Sequence, residues 1–309
     1  MINVLFAARA ERWNTYAPEL TRAFAAAGLK VDLQQEFAPD VVDYIIYAPN
    51  SDLQDFTPYR RCKAVLNLWA GVEAIVTNPT LTQPLTRMVD HGLTQGMVEW
   101  VTGHVLRYHI GIDHNLEHQK GKWQRKLPPL SRDRPVTILG IGALGSACAT
   151  TLASLGFPVT GWSRSPKEIN GITCLSGDAG LKQALETAQI VVTLLPLTSG
   201  TENLLNAERL SWLPHAACLI NPGRGPLIDD DALLAALDSG QIARATLDVF
   251  RVEPLPADHP YWWHPRVTVT PHIAADTRPA TAAEVIADNV SRSERGVPLR
   301  YLVDRSVGY

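Results

Sequence analysis

Three segments in the second half of the chain carry residue types suited to gripping an anion and moving a proton: Asn221-Pro-Gly-Arg224-Gly225, Asp248-Val-Phe-Arg-Val-Glu253-Pro254 and Thr270-Pro-His272-Ile273. Arginine holds a carboxylate in a planar two-point grip and keeps its proton. Histidine exchanges a proton near neutrality, and a glutamate beside it favours the charged ring. Each residue also has a plainer reading: Arg224 holding a turn, Glu253 as a solvated loop acid, His272 as a satisfied structural side chain. Placement raises the three together. They follow strand-like runs at Ala217–Ile220, Ala243–Leu247 and Val267–Val269, and open parallel sheets bind ligands beyond the carboxyl ends of their strands.

Those runs belong to a longer alternation. Strand-like segments at Val136–Gly140, Val159–Trp162, Ile172–Leu175 and Ile190–Leu195 precede them, separated by helical or turn patterns, which predicts a doubly wound Rossmann sheet. An earlier α/β unit is expected from Ile2–Ala8, a helix at Tyr16–Ala27, and strands at Lys30–Gln34, Tyr44–Ala48 and Lys63–Trp69. Most of these strands are mainly apolar runs separated by helix-length segments, as strands covered on both faces must be. Apolar positions from Met97 to Ile110 at helical spacing predict one long helix over Thr94–His118, followed by a proline-bearing surface arm, Gln119–Pro135. A last helix is expected at Ala280–Arg295, broken by Gly296-Val-Pro298, and folding back onto the first unit. The domain boundaries expected are 1–96 with 275–309 for substrate and 97–274 for the dinucleotide.

Gly140-Ile-Gly142-Ala143-Leu144-Gly145 sits between a strand and a helical run, Ala143–Leu155. There the first glycine permits the turn, the second lets backbone approach a pyrophosphate and the third lets helix pack on strand; the helix start offers free N–H groups. A structural turn is the alternative. An NAD site places a carboxylate about 20 residues on. Here the second strand runs into Ser163-Arg164-Ser165-Pro-Lys167, with no carboxylate before Glu168. Arg164 suits a ribose 2′-phosphate, with Ser163, Ser165 and Lys167 as further donors, so NADPH is the preferred cofactor and NADH the other possibility. A solvated basic loop is the plainer account.

Composition excludes other classes. The 309 residues are 46% apolar and 19% charged with net charge −3, leaving no basic excess for nucleic acid. No apolar run approaches the about 20 residues of a spanning helix, and Arg9, Glu11 and Arg12 follow Ile2–Ala8 where a signal peptide would continue apolar. A cytoplasmic protein without a membrane partner is expected. Cys62, Cys148, Cys174 and Cys218 form no close pair and read as buried reduced thiols. His114 and His118 lack a third metal ligand, Asp229-Asp-Asp231 reads as a helix cap, and Trp262-Trp263 as packing or a pocket rim; no metal is expected.

The ordered set Gly140–Gly145, Leu195-Pro-Leu-Thr198, Asn221–Gly225, Asp248–Pro256 and Pro271-His-Ile-Ala274 resembles the D-isomer-specific 2-hydroxyacid dehydrogenases over nearly the whole chain. Within that family, Trp162-Ser-Arg164, Ala232–Gly240, Glu253-Pro-Leu-Pro256, His272–Pro279 and Val307-Gly-Tyr309 look most like the bacterial glyoxylate/hydroxypyruvate reductase A group. The resemblance implies a flavodoxin-like substrate domain beside the Rossmann domain, with a cleft between them. It makes Arg224 the binder of a small 2-oxo acid, His272 the proton donor and Glu253 its partner. It adds Leu195, Pro196, Thr201, Pro222, Gly223 and Asp248 to the cofactor contacts, and implies a homodimer in which Trp123 of the arm reaches a partner's site. Trp69-Ala70-Gly71-Val72 follows a strand, and the N–H groups of Gly71 and Val72 are expected to receive the substrate carboxylate. Family members commonly have a small residue where Trp69 stands; the indole either narrows the pocket or packs in the core. The expected reaction is NADPH-dependent reduction of glyoxylate to glycolate and of hydroxypyruvate to D-glycerate. Alternatives are an NADH-dependent dehydrogenase of another 2-hydroxy acid and a non-enzymatic dinucleotide-sensing corepressor.

Overall fold

A computed structural model describes residues 1–121, 123–305 and 308; Val307 and Tyr309 of the terminal motif lie outside the described residues. The chain divides into two compact units, Met1–Leu93 with Asp276 onward, and Thr94–Ala275.

In the first unit, β1 (Ile2–Ala7), α1 (Ala10–Ala26), β2 (Val31–Gln34), β3 (Tyr44–Tyr47), β4 (Ala64–Asn67) and β5 (Leu85–Thr86) build a sheet in the order β2-β1-β3-β4-β5. Every pairing is parallel. This 2-1-3-4-5 order is the flavodoxin-like doubly wound arrangement. The period of two in each strand divides its side chains between two cores. Val4, Phe6, Tyr44 and Ile46 pack with Leu20 and Phe24 of α1, while Leu5, Ile45, Tyr47 and Val65 pack with Phe56, Ile75 and Leu81 on the other face. The two-residue β5 is too short to show in the sequence as a strand. Helix α1 begins at Ala10, six residues before the expected Tyr16, because exposed polar residues occupy its first turns.

The second unit contains most of α2 (His91–His109), then α3 (Ile112–His118). The single helix expected over Thr94–His118 is thus two, broken at Gly111, whose φ of +71° leaves the right-handed helical region. Between His118 and a 3₁₀ turn at Ser131–Asp133 the described residues form no regular element, and Trp123, Leu127 and Leu130 are exposed. There follow β6 (Val136–Leu139), α4 (Ala143–Ser154), β7 (Val159–Ser163), β8 (Thr173–Ser176), α5 (Gly177–Glu186), β9 (Ile190–Thr193), α6 (Ala207–Ser211), β10 (Ala217–Asn221), α7 (Asp230–Ser239), β11 (Ile242–Leu247) and β12 (Val267–Val269). Their sheet order is β12-β11-β10-β9-β6-β7-β8, all parallel. Counted from β6, this is the 3-2-1-4-5-6 Rossmann order with a seventh strand added. Because every strand points the same way, the loops after β6, β7, β9, β10, β11 and β12 leave one edge of the sheet.

Helix α8 (Pro279–Glu294) returns to the first unit, where Ala282, Ala283, Ile286 and Val290 complete the core beneath α1. Asp229 caps α7 by accepting from the Ala232 amide at 3.0 Å, the helix-cap role expected of that acidic run. The four cysteines are free, and burial pushes the thiols of Cys62 and Cys148 up to about 12, which leaves them unreactive at neutral pH. No helix among the described residues is long and apolar enough to cross a membrane.

Candidate active site

The loop after β6 has the geometry a pyrophosphate requires. Gly140 takes φ +101°, and a Cβ there would meet the Leu194 carbonyl oxygen at 2.5 Å. At Gly145 a Cβ would lie 1.9 Å from the Gly140 carbonyl oxygen, so a hydrogen is all that fits between helix and loop. At Gly142, the N-cap of α4, a Cβ would enter open space, and no side chain caps the helix. The amides of Ala143, Leu144 and Gly145 are therefore left for an external anion approaching over Gly142. The residues present fit a dinucleotide.

Beyond β7, Arg164 and Ser165 are exposed. The Ser163 hydroxyl donates to the Ser165 carbonyl at 2.8 Å, and the Lys167 ammonium donates to the Ile141 carbonyl at 2.9 Å, so Lys167 also ties this loop to the glycine turn. After β9, Leu195 and Pro196 lead into a turn at 199–203 organised by Thr201, whose hydroxyl donates to the Pro196 carbonyl at 2.7 Å and accepts from the Thr198 amide at 2.8 Å.

Arg224, Glu253 and His272 come together. His272 Nδ1 lies 2.7 Å from Glu253 Oε2, and the other carboxylate oxygen accepts from the Phe250 amide at 2.9 Å. That hydrogen bond to the Glu253 carboxylate, opposed by burial and reinforced by the carboxylate charge, holds the His272 pKa above the ordinary histidine value; the Arg224 charge pulls it down. For Glu253 burial pushes upward, yet the hydrogen bonds from His272 and Phe250 and the charges of His272 and Arg224 outweigh it, and the net is below the usual carboxylate value. With Nδ1 held by the carboxylate, Nε2 is the ring nitrogen able to pass a proton to a ligand.

The backbone beneath this trio is clamped by two buried side chains, Asp248 and Asn221, for which the sequence reading expected no clamping role. His272 adopts φ +53°, a left-handed conformation that costs a non-glycine residue energy and is retained where the surroundings impose it. Asp248, 1% exposed, imposes it: Oδ1 accepts from the Thr270 hydroxyl at 2.5 Å and the Ile273 amide at 2.9 Å, and Oδ2 accepts from the Ala274 amide at 2.9 Å. Asp248, expected among the cofactor contacts, thus spends its carboxylate on the segment that carries His272. Asn221 does the same for Arg224. Its amide nitrogen donates to the Arg224 carbonyl at 2.9 Å, while its oxygen accepts from the Gly223 amide at 3.1 Å and the Thr193 hydroxyl at 2.5 Å. Pro222 and Gly223 are buried between these anchors. Arg251 ties the Glu253 loop down by donating to the Ile228 carbonyl at 2.7 Å and pairing with Asp230 at 3.3 Å. The Trp262 indole donates to the Pro256 carbonyl at 3.0 Å at the far end of that loop. A polar residue closing an otherwise apolar strand, as Asn221 does, is the signal that would have found such anchors.

In the first unit, the Trp69–Val72 loop leaves β4. Trp69 is 41% exposed, which removes the core-packing alternative. It lines a small cavity with Arg12, Tyr16, Asn50 and Thr277. The amides of Ala70, Gly71 and Val72 donate to no other group among the described residues. His114 and His118 stack with ring centroids 4.1 Å apart, and no group of three metal-type ligands occurs among the described residues.

Residues 104–274 match the family model for the NAD-binding domain of D-isomer specific 2-hydroxyacid dehydrogenases. The chain belongs to that family of NAD(P)-dependent oxidoreductases. It is 43% identical over 258 residues to the glyoxylate/hydroxypyruvate reductase A of Serratia proteamaculans, an alignment covering 81% of this chain and 82% of that one. A family member from Xanthobacter autotrophicus, solved with NADPH and MES, superposes with a TM-score of 0.93 at 40% identity, covering 100% of this chain and 99% of that one. The NADPH-dependent glyoxylate/hydroxypyruvate reductase of Sinorhizobium meliloti, solved with NADP and sulfate, gives 0.87 at 33% identity over the whole of both chains.

Proposed function

We propose that the protein reduces small 2-oxo acids with NADPH, glyoxylate to glycolate and hydroxypyruvate to D-glycerate. The observation that carries this reading is the 2.7 Å pairing of His272 with Glu253 within the field of Arg224. It is supported by relatives named for this reaction and by neighbours solved with NADPH or NADP. When bound, the cofactor supplies a hydride to the carbonyl carbon. The chain's own residues answer the negative charge that grows on the carbonyl oxygen: Arg224 anchors the acid and polarises that oxygen, and His272 donates the proton from Nε2. Glu253 keeps the ring charged beforehand. The open amides of Ala70, Gly71 and Val72 receive the substrate carboxylate, and Trp69 limits the acid to two or three carbons. The α4 N-terminus takes the pyrophosphate and Arg164 the 2′-phosphate, with Ser165 beside it; Leu195, Pro196, Pro222 and Gly223 line the nicotinamide side.

The same reading has the protein work as a cytoplasmic homodimer. The groove between α3 and the arm, where Ile112, Leu116 and Trp123 line a wall beside the polar Asn115, Gln119 and Arg125, is the face this reading gives to the partner copy. The test is oxidation of NADPH by glyoxylate and by hydroxypyruvate, run beside NADH, for wild type and Arg224→Ala. Loss of the guanidinium is expected to lower kcat/KM for glyoxylate about a thousandfold, as for removal of a principal charge-stabilising donor. Unchanged kinetics remove Arg224 from the site.

A further inference from the structure

We propose that Asn67 is a positioning residue that aims the main-chain amides of Ala70 and Val72 at the substrate carboxylate; this rests on the reading that the Trp69–Val72 loop receives that group. Asn67 is the last residue of β4, 1% exposed, and its Nδ2 donates to two carbonyls of the loop, Trp69 at 2.9 Å and Gly71 at 3.0 Å. The Met88 amide binds the Trp69 carbonyl from a second direction at 2.9 Å, and the Thr277 hydroxyl holds the preceding Leu68 carbonyl at 2.9 Å. The only cis peptide among the described residues is Glu253–Pro254, so the bonds joining residues 69 to 70 and 71 to 72 are trans.

In a planar trans peptide the carbonyl and the N–H point in opposite directions. Pulling the carbonyls of Trp69 and Gly71 onto one buried nitrogen therefore turns the N–H groups of Ala70 and Val72 away from it, side by side, as a pair of donors. Those two amides, with that of Gly71 between them, donate to no other group among the described residues. The sequence alone suggested Gly71 and Val72; the pinned carbonyls single out Ala70 and Val72. Reversing the carboxamide is not an alternative, because it would set Oδ1 against two carbonyl oxygens. As it stands, Oδ1 is buried with no partner among the described residues, a cost the fold bears at this strand end.

Two full-chain variants separate positioning from general stability. Asn67→Asp is nearly isosteric but at neutral pH has no hydrogen to give, and Asn67→Ala removes the group. In both, KM for glyoxylate is expected to rise about tenfold with kcat and KM for NADPH held within about threefold, the pattern of lost ground-state binding at one ligand only. In Asn67→Asp the raised KM falls again as pH is lowered, because the protonated acid can donate to one carbonyl. Asn67→Ala shows no such recovery. An unchanged KM for glyoxylate, or equal rises for glyoxylate and NADPH, overturns the proposal, and Asn67→Ala decides if the aspartate variant does not fold. Should wild type reduce no 2-oxo acid, the functional reading fails on its own. Calorimetric titration of oxalate into the NADPH-loaded chain then decides Asn67: tenfold weaker binding in the variants supports it, and equal or absent binding in wild type and variants overturns it.

Discussion

The glycine loop at Gly140–Gly145 and the Trp69–Val72 loop both present main-chain N–H groups, and they are built in opposite ways. In the first, regular structure does the aiming: the first turn of α4 leaves its amides unpaired, and the glycines only clear space. In the second there is no helix to do it, and one buried carboxamide, with help from Met88 and Thr277, fixes the carbonyls instead. A nest made by a helix tolerates no added bulk at its crossing points. One made by a side-chain clamp depends on a single donor and is local in its consequences.

The sharpest way to break the comparison is Gly145→Ala. The new methyl would fall 1.9 Å from the Gly140 carbonyl oxygen, a backbone atom that cannot swing aside. Overpacking of this kind costs about 1–3 kcal/mol, so a fall of several degrees in Tm is expected. With the helix start displaced from the turn, the Kd for NADPH should rise about a hundredfold, read by fluorescence titration. Asn67→Ala, by contrast, should leave NADPH binding unchanged. Equal damage to NADPH binding from both substitutions would mean that the two loops are not independent anion sites.

This division also explains what the sequence made legible. Gly140, Gly142 and Gly145 could be read because their spacing is tied to a strand and a helix, each with its own periodicity. The strands themselves were visible as apolar runs, and Arg224, Glu253 and His272 as chemistry-bearing residues just past them. The anchors were not. Asn67 and Asn221 each close an apolar strand and reach forward to loop carbonyls, at i+2 and i+4 in one case and i+3 in the other. Such contacts depend on where a loop turns, which no period records. Asp248 was noticed, but that its carboxylate holds Thr270, Ile273 and Ala274 depends on contacts between residues more than twenty positions apart. The break at Gly111 was hidden because apolar residues keep helical spacing up to Ile110, and α3 resumes at Ile112.

Glu253 extends the side-chain-built class from geometry to protonation, since it acts on His272 as Asn67 acts on its loop. Its hydrogen bond raises the His272 pKa, and with His272 as the proposed proton donor reduction needs the protonated ring, so kcat/KM should hold at low pH and fall as pH rises through that raised value. In Glu253→Gln the raising influence is lost while burial and Arg224 still pull downward. The falling limb therefore moves to lower pH, and at alkaline pH the variant should be about tenfold slower than wild type. The reverse oxidation needs the neutral ring, so its rising limb should move to lower pH as well. A limb that stays in place in Glu253→Gln would assign it to another group.

The smallest effect is expected at Arg164, an exposed side chain on the loop after β7. Ser163 donates its hydroxyl to Ser165, and Lys167 donates to Ile141. On the proposed reading Arg164 supplies a cation to the 2′-phosphate at this strand end. Exposed ion pairs contribute at most about 1 kcal/mol, and salt screens them. Arg164→Ala should accordingly raise KM for NADPH about threefold to fivefold, leave KM for NADH and glyoxylate unchanged, and lose most of its effect at molar salt. Equal losses with both cofactors would place Arg164 at the shared part of the dinucleotide and make it, like Asn67, a residue that acts through the main chain it holds.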